Sequence, residues 1–409
     1  MPHNVSGKIT PLRPVANAVA AALSTAPADE RHIPFIDLQA QRRRLGPRME
    51  AAMARVLEHG RFVAGPEIDE LESQLSEWCG ARHVIACASG TTGLSLGLTA
   101  LGAKYRDAIF VPAFTFVSPA EVVARLGCIP VFVDVREDDF NIDADSLVRG
   151  IETAREHGLT PRGVIAIDLF GQPVDYDALH EIATGHDLWV MADAAQSFGA
   201  GFRGKKVGTL AKLTAISFFP SKPLGCYGDG GAIFTDSDEF AAEVRSRRQH
   251  GQGEDRMTHV RIGMNGRLDT LQAAILIEKL AIFRDELEAR NRIAARYSEG
   301  LKDMVAVPRV GRRRTSAWAQ YTIRLRAGER TVVREVLEKE GIPTAIYYHT
   351  ALHQHAPYTG YPRGNGGLPV SERLAETVLS LPMHPYLEPE LQDRIIDRLR
   401  GALASVRGR

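Results

Sequence analysis

Apolar positions along the chain follow two rhythms. Between residues 38 and 59, Leu45, Met49, Met53, Val56 and Leu57 recur at helical spacing. Pro66 opens a second helical pattern, with Ile68, Leu71, Leu75 and Trp78 on one face and Gly80 as its stop. Short continuous apolar runs then take over, at 83–87, 108–111, 129–135, 164–168, 188–192, 214–219 and 231–234. A run that is apolar at successive positions suits a strand buried on both faces. Helical patterns near 92–101, 118–126, 145–157, 175–186 and 237–249 separate several of these runs. The alternation predicts an α/β fold, with a mostly parallel seven-stranded sheet between helices. A long helical pattern over 269–300 leads into a second region. There 319–325 alternates like a half-exposed strand, 331–340 reads as a helix and 342–348 as another strand. The expected organisation is a large domain over 33–281 and a smaller C-terminal α/β domain over 282–409, with the boundary inside the long helix.

The first 32 residues stand apart. Lys8 and Arg13 precede an alanine-rich run from Val15 to Leu23, superficially like a secretory signal. Asn17 interrupts that run and alanine is a weak hydrophobe, so residues 1–32 are expected to be a flexible extension. No stretch approaches the ~20 apolar residues of a membrane helix. Lys+Arg and Asp+Glu each number 50, so no net field draws the chain to nucleic acid or to an anionic membrane. Cys79, Cys87, Cys128 and Cys226 make neither a disulfide framework nor a CxxC pair, which fits a reducing, cytoplasmic setting. His349, His353 and His355 cluster without an acidic or cysteine partner at ligand spacing, so a solvated loop is expected and no metal site.

In open α/β sheets ligands gather at the carboxyl ends of strands, and three unusual stretches fall there. Ser89-Gly90-Thr91-Thr92-Gly93 follows the 83–87 run and opens a helix. Hydroxyls, glycines and free N–H groups at a helix N-terminus can cradle a phosphate, although an ordinary N-cap explains the stretch equally well. It lacks the GK[ST] ending of a Walker loop. Asp193 closes the 188–192 run. A carboxylate there must be satisfied or paired, by a helix N-terminus or by a cationic ring nitrogen. Lys222 directly follows an apolar run, between Pro220 and Pro223, with a glycine-rich stretch from Gly225 to Gly231 after it. A lysine is most often a solvated surface charge, but a rigid, desolvated amine is suited to forming a Schiff base.

Together these residues resemble the DegT/DnrJ/EryC1/StrS sugar aminotransferases, which are fold type I pyridoxal-phosphate (PLP) enzymes. The resemblance runs from Phe35 to about Leu387. It rests on Asp193-Ala194-Ala195-Gln196, on Ser217-Phe218-Phe219-Pro220-Ser221-Lys222, and on Gly228-Asp229-Gly230-Gly231. Pro112-Ala113-Phe114-Thr115-Phe116, Asp168-Leu169-Phe170-Gly171-Gln172-Pro173 and Arg267-Leu268-Asp269 extend it. The resemblance implies that Lys222 forms the Schiff base and shuttles a proton, and that Asp193 pairs with the ring nitrogen. It also implies that Gln196 bonds near the ring hydroxyl, that Phe116 stacks on the ring, and that Gly90, Thr91 and Ser217 hold the phosphate. For Phe116 the residue pattern alone favours a core aromatic. Asn265 is expected to reach the phosphate of a neighbouring subunit, since family members build the site across a homodimer. Arg267, Tyr347 and Tyr348 are candidates to meet substrate.

Within the family, the stretch around Lys222 is most similar to the UDP-2-acetamido-2-deoxy-3-oxo-glucuronate aminotransferases. The expected reaction moves an amino group from glutamate to a keto-sugar nucleotide, for surface-polysaccharide or natural-product biosynthesis. Two departures bear on the acceptor. The segment Tyr347-Tyr348-His349-Thr350-Ala351-Leu352-His353 lacks two prolines usual in the family, and Gly266 stands where serine is commoner. Another keto-sugar or a cyclitol ketone therefore stays open as acceptor. A PLP-dependent dehydratase of the same fold is the further alternative, against which Lys222 argues, because deoxygenating relatives carry histidine there. Arg61, Arg267, Arg324 and Arg326 could meet a diphosphate by charge alone, with a solvated face as the plainer reading.

Overall fold

Side chains that alternate along each strand divide the interior into two layers. In the computed structural model, which describes residues 33–255 and 257–408, the seven apolar runs form one sheet. Their spatial order is His83–Cys87, Gly231–Thr235, Leu213–Ser217, Trp189–Asp193, Thr160–Ile167, Asp107–Pro112 and Ile129–Val133. Gly231–Thr235 runs antiparallel to both of its neighbours. The remaining neighbouring pairs are parallel. Val84, Ala86, Phe110, Val164, Val190 and Phe234 point into one apolar cluster. Ile85, Cys87, Ile109, Val111, Ile165, Met191 and Ile233 point into the cluster on the opposite face. Helices seal both layers, which is why the strands are apolar throughout rather than alternating.

A third cluster forms around the antiparallel pair Tyr321–Arg324 and Val378–Leu381. The helices Phe283–Leu301, Glu329–Lys339 and Pro389–Arg407 supply Tyr297, Leu301, Val333, Leu337, Ile395 and Leu399 to it. Ile33 joins this cluster from the far end of the chain, while Leu352, Tyr358 and Leu374 pack back against the large sheet. Gly171 ties the regions together. Its carbonyl accepts from the Ala317 amide at 2.8 Å and from the Ser316 hydroxyl at 3.1 Å.

The structure corrects several sequence expectations. The pattern over 38–59 is two helices, Leu38–Leu45 and Pro47–His59, because Pro47 has no N–H to continue the first and Gly46 turns the chain at φ 54°. The pattern over 269–300 is likewise split, into Thr270–Leu280 and Phe283–Leu301, by non-helical backbone at Ile282. The segment 342–348 is not a strand. It bridges Ser380 at Ala345 alone, and then turns at Tyr347 and Tyr348. His353 is buried rather than solvated, and its Nε2 lies 2.9 Å from Glu372 Oε1, a carboxylate supplied by the helix Pro369–Thr377. The N-terminal extension lies outside the described residues.

Candidate active site

Five of the parallel strands deliver their carboxyl ends to one cavity of about 460 Å³. Ser89, Gly90 and Thr91 reach it from the end of His83–Cys87, and Thr115 and Phe116 from Asp107–Pro112. Ile167 and Asp168 come from Thr160–Ile167, Asp193 and Gln196 from Trp189–Asp193, and Ser217 and Lys222 from Leu213–Ser217. Tyr347, Tyr348 and Gln320 close it from the C-terminal region. The cavity lies where open α/β sheets place their ligands, and its size is that of a small-molecule site.

Asp193 and Lys222 come from strands that pair side by side, with Asp193 opposite Ala215. Burial raises the Asp193 carboxyl above the usual carboxylate range, opposed by the Ala195 amide, which donates to Oδ1 at 3.1 Å, and by the nearby charge of Lys222. No helix follows Asp193, so capping does not account for it. Burial pushes the Lys222 ammonium below the usual lysine range, and Asp193 opposes that shift. The Lys222 amide donates to the Phe219 carbonyl at 2.8 Å, which fixes the backbone that carries the amine.

Four further contacts set the cavity's polar groups. Ser89 caps the helix Gly90–Ala100, its hydroxyl accepting from the Thr92 amide at 3.0 Å, so the capping reading of this turn holds. The same turn also presents Gly90 to the cavity, where a Cβ would come within 2.8 Å of Ser217 Cβ. A side chain there would press on Ser217 and push the turn, with the helix N-terminus it carries, away from this strand. Thr91 Oγ1 lies 2.8 Å from Ser118 Oγ. Gln196 Oε1 accepts from the Phe170 amide at 2.6 Å and Nε2 donates to the Tyr348 hydroxyl at 3.3 Å, which settles the orientation of its amide. Behind this layer, Asp168 accepts from Ser197 at 2.8 Å, from the Val174 amide at 2.9 Å and from Tyr176 at 3.1 Å. Burial still raises its carboxyl to about 7.

Phe116 is 54% exposed and lines the cavity, which overturns the core-aromatic reading. Asn265 and Arg267 do not line the cavity; Asn265 is exposed, with its backbone bridged to Gln249, and Arg267 is half-buried. Arg324 is engaged by Glu137, and Arg61 donates to the Ala64 carbonyl at 3.0 Å. Ser118 and Gln320 line the cavity without standing out in the sequence. A Ser-Pro pair opening a helix gives some signal for Ser118, whereas Gln320 lies inside an alternating strand pattern and gives none.

These residues fit PLP. A half-buried amine, a buried carboxylate on the adjoining strand, an exposed aromatic face and a helix N-terminus that admits no side chain at Gly90 meet in one cavity. Similarity to known proteins agrees with that geometry. A profile of the DegT/DnrJ/EryC1/StrS aminotransferase family matches residues 44–400. The UDP-2-acetamido-2-deoxy-3-oxo-D-glucuronate aminotransferase of Pseudomonas aeruginosa is 44% identical over 359 residues, covering 87% of this chain and 96% of that protein. A DegT/DnrJ/EryC1/StrS aminotransferase structure from Brucella abortus matches with a TM-score of 0.89 at 48% identity, over 90% of this chain and 99% of that one. NtdA from Bacillus subtilis, solved with bound cofactor PMP, matches at 0.81 and 28% identity, over 91% and 85% respectively.

Proposed function

The chain belongs to the DegT/DnrJ/EryC1/StrS aminotransferase family, and from that premise we propose that it transfers an amino group from glutamate to UDP-2-acetamido-2-deoxy-3-oxo-glucuronate, giving the 3-amino sugar. It is a PLP-dependent transaminase. The observation that carries the proposal is the meeting of Lys222, Asp193 and the Gly90 turn at adjoining strand ends. The acceptor follows from the similarity to the P. aeruginosa enzyme over nearly its whole length.

When bound, PLP supplies an electron-poor ring that can take up the electron pair of a substrate carbanion. Lys222 would hold it through its side-chain amine, and that amine would also be the base that takes a proton from one carbon and returns it to another. Burial serves that task, because it favours the neutral amine. Asp193 would pair its carboxylate with the ring nitrogen and keep it protonated. Gln196 is held by Phe170 and Tyr348, and would bond near the ring hydroxyl. The N–H groups of Gly90 and Thr91 at the helix N-terminus, with the Ser217 hydroxyl, would hold the phosphate. Phe116 would cover one face of the ring.

The active assembly in this reading is a cytoplasmic homodimer. The exposed Asn265, and the segment before it with Met257 and Ile262 each 88% exposed, suit contact with a second subunit. The four cysteines are free and buried, in keeping with a reducing compartment. No helix among the described residues is long and apolar enough to cross a membrane. The two-domain division at residue 281 belongs to the same proposal.

The reaction is tested by incubating the enzyme with glutamate and the 3-oxo sugar, then measuring 2-oxoglutarate and the 3-amino sugar by mass spectrometry. Formation of both supports the proposal. Turnover with a different keto-sugar or a cyclitol ketone, and none with this one, replaces the acceptor. One observation favours keeping that second reading in the assay: Tyr347 and Tyr348, at the start of the divergent 347–353 segment, line the cavity itself.

A further inference from the structure

Lys279, on the helix Thr270–Leu280, is 1% exposed and has no part in the chemistry described above. Its ammonium donates to the Gly225 carbonyl at 2.6 Å and lies 4.2 Å from the centroid of the Tyr227 ring. Burial lowers it to about 8, opposed by Glu286 and Cys226, so it remains a cation at neutral pH. A buried ammonium is costly, and an apolar side chain of the same length would pack there without that penalty. The carbonyl it holds belongs to the loop that carries Lys222. That loop leaves the strand Leu213–Ser217 and closes on itself, the Cys226 amide donating to the Phe218 carbonyl at 2.7 Å. Inside the closure the Lys222 amide donates to the Phe219 carbonyl. Gly225 packs so tightly on the outgoing limb that a Cβ there would lie 2.6 Å from the Phe219 carbonyl oxygen and 2.7 Å from that of Pro220. Gln272, two turns earlier on the same helix, holds the returning limb too, its Oε1 accepting from the Tyr227 amide at 2.9 Å.

We propose that Lys279 is a positioning residue, which clamps the Gly225 carbonyl and so fixes the loop from which the Lys222 amine reaches the cavity. This rests on the aminotransferase reading above. Lys279 does not line the cavity, so it acts through the backbone of 218–226. A shift of Gly225 displaces the Phe219 carbonyl packed against it, and with that carbonyl the hydrogen bond that sets the Lys222 backbone. A cation suits the clamp, because a charge-assisted hydrogen bond is roughly twice as strong as a neutral one. Proton transfer is sensitive to such a shift, since a reacting group about 1 Å out of place can slow a reaction by on the order of a hundredfold. One amine serves both half-reactions, so both depend on Lys279 in rate, while the binding of either substrate does not.

The test compares Lys279→Met, which keeps the length and removes the donor, with Lys279→Arg, which keeps a cationic donor. Amide hydrogen exchange of the full-length holoenzyme is read by mass spectrometry on peptides spanning 218–227 and on the rest of the chain. The maximal rate and half-saturating concentration of each half-reaction are measured beside it, with the thermal midpoint. For Lys279→Met the expected exchange is at least about fivefold faster in 218–227 and unchanged in the central sheet. Both maximal rates fall by about tenfold, the half-saturating concentrations stay within about twofold, and the midpoint stays close to wild type. Lys279→Arg lies nearer to wild type in exchange and in rate. Lys279→Gln, a shorter neutral donor, carries the same comparison where the methionine variant does not fold. A lowered midpoint with faster exchange throughout the sheet assigns Lys279 to general packing and overturns the proposal. So do unchanged exchange in 218–227 or unchanged maximal rates in Lys279→Met. A wild-type enzyme inert toward glutamate removes the aminotransferase reading instead, and exchange in 218–227 then still decides whether Lys279 holds the loop.

Discussion

At the residue scale the site turns on a buried carboxylate, Asp193, and a half-buried amine, Lys222. Lys222→Ala removes the covalent anchor and the proton carrier together, so transamination is expected to fall by at least about a thousandfold. Near-normal turnover in that variant, measured as 2-oxoglutarate formed, would contradict the assignment. Asp193→Asn should keep the cofactor bound yet slow the glutamate half-reaction by about a hundredfold, because an amide cannot hold the ring nitrogen protonated. A stopped-flow rate equal to wild type rules that role out. Both residues stand out in the sequence because each follows a continuous apolar run, but taken singly a helix N-cap explains Asp193 and a solvated charge explains Lys222, and it is the resemblance that selects them. Tyr348 is legible as a candidate, but its bond to Gln196 spans 152 positions, and no local pattern encodes it. Gln320 is hidden for a related reason. An amide before an alternating strand looks like any solvent-facing position until the C-terminal region is folded against the sheet.

At the element scale, turns decide whether the cavity exists. The turn from His83–Cys87 into Gly90–Ala100 passes so close to Ser217 that a Cβ at Gly90 would come within 2.8 Å of Ser217 Cβ. Gly90→Ala should therefore raise the dissociation constant for PLP by roughly tenfold, the work of one displaced anion contact, with the fold retained. Equilibrium dialysis showing unchanged affinity would remove the phosphate cradle from this turn. Gly171 has φ 104°, and a Cβ there would lie 2.6 Å from the Trp318 amide nitrogen. Gly171→Ala should cost about 1–3 kcal/mol of stability, read from denaturant unfolding, by straining the link to the C-terminal region. The seven strands are legible because burial on both faces leaves uninterrupted apolar runs, and their helices because each recovers its own periodicity. The reversed direction of Gly231–Thr235 is not legible, since a run apolar at every position carries no sign of direction. Nor is the break at Ile282, which leaves the helical spacing on either side almost undisturbed, whereas Gly46-Pro47 carries a turn signal that the apolar spacing alone passes over.

At the scale of the whole molecule, two buried titratable groups give opposite dependences on pH. His384 is buried beside Arg290, and burial, reinforced by that positive charge, lowers its imidazole from 6.5 to about 4. A depressed folded pKa contributes stability above the unfolded value, and that contribution is lost as pH falls from 6.5 through about 4. Its size is on the order of 3 kcal/mol, since a tenfold change in proton affinity is worth about 1.4 kcal/mol. Asp168, raised from 3.8 to about 7, works the other way, its contribution present below 3.8 and lost as pH rises through about 7. The wild-type profile between pH 4 and 7 should thus be flatter than that of His384→Gln or Asp168→Asn. The first variant should gain relative to wild type as pH falls, and the second as pH rises. Chemical denaturation at a series of pH values checks this, and parallel profiles for all three proteins would show that neither group is linked to folding as described. The central claim is that Lys222 carries PLP in a cavity that exchanges an amino group between glutamate and a keto-sugar, and the visible spectrum of the purified protein tests it most directly. The account predicts a yellow band that bleaches with glutamate, returns with the 3-oxo UDP-sugar acid, and is missing in Lys222→Ala. A protein that shows no band after PLP is added, with Lys222 unmodified on reduction and peptide mapping, contradicts it.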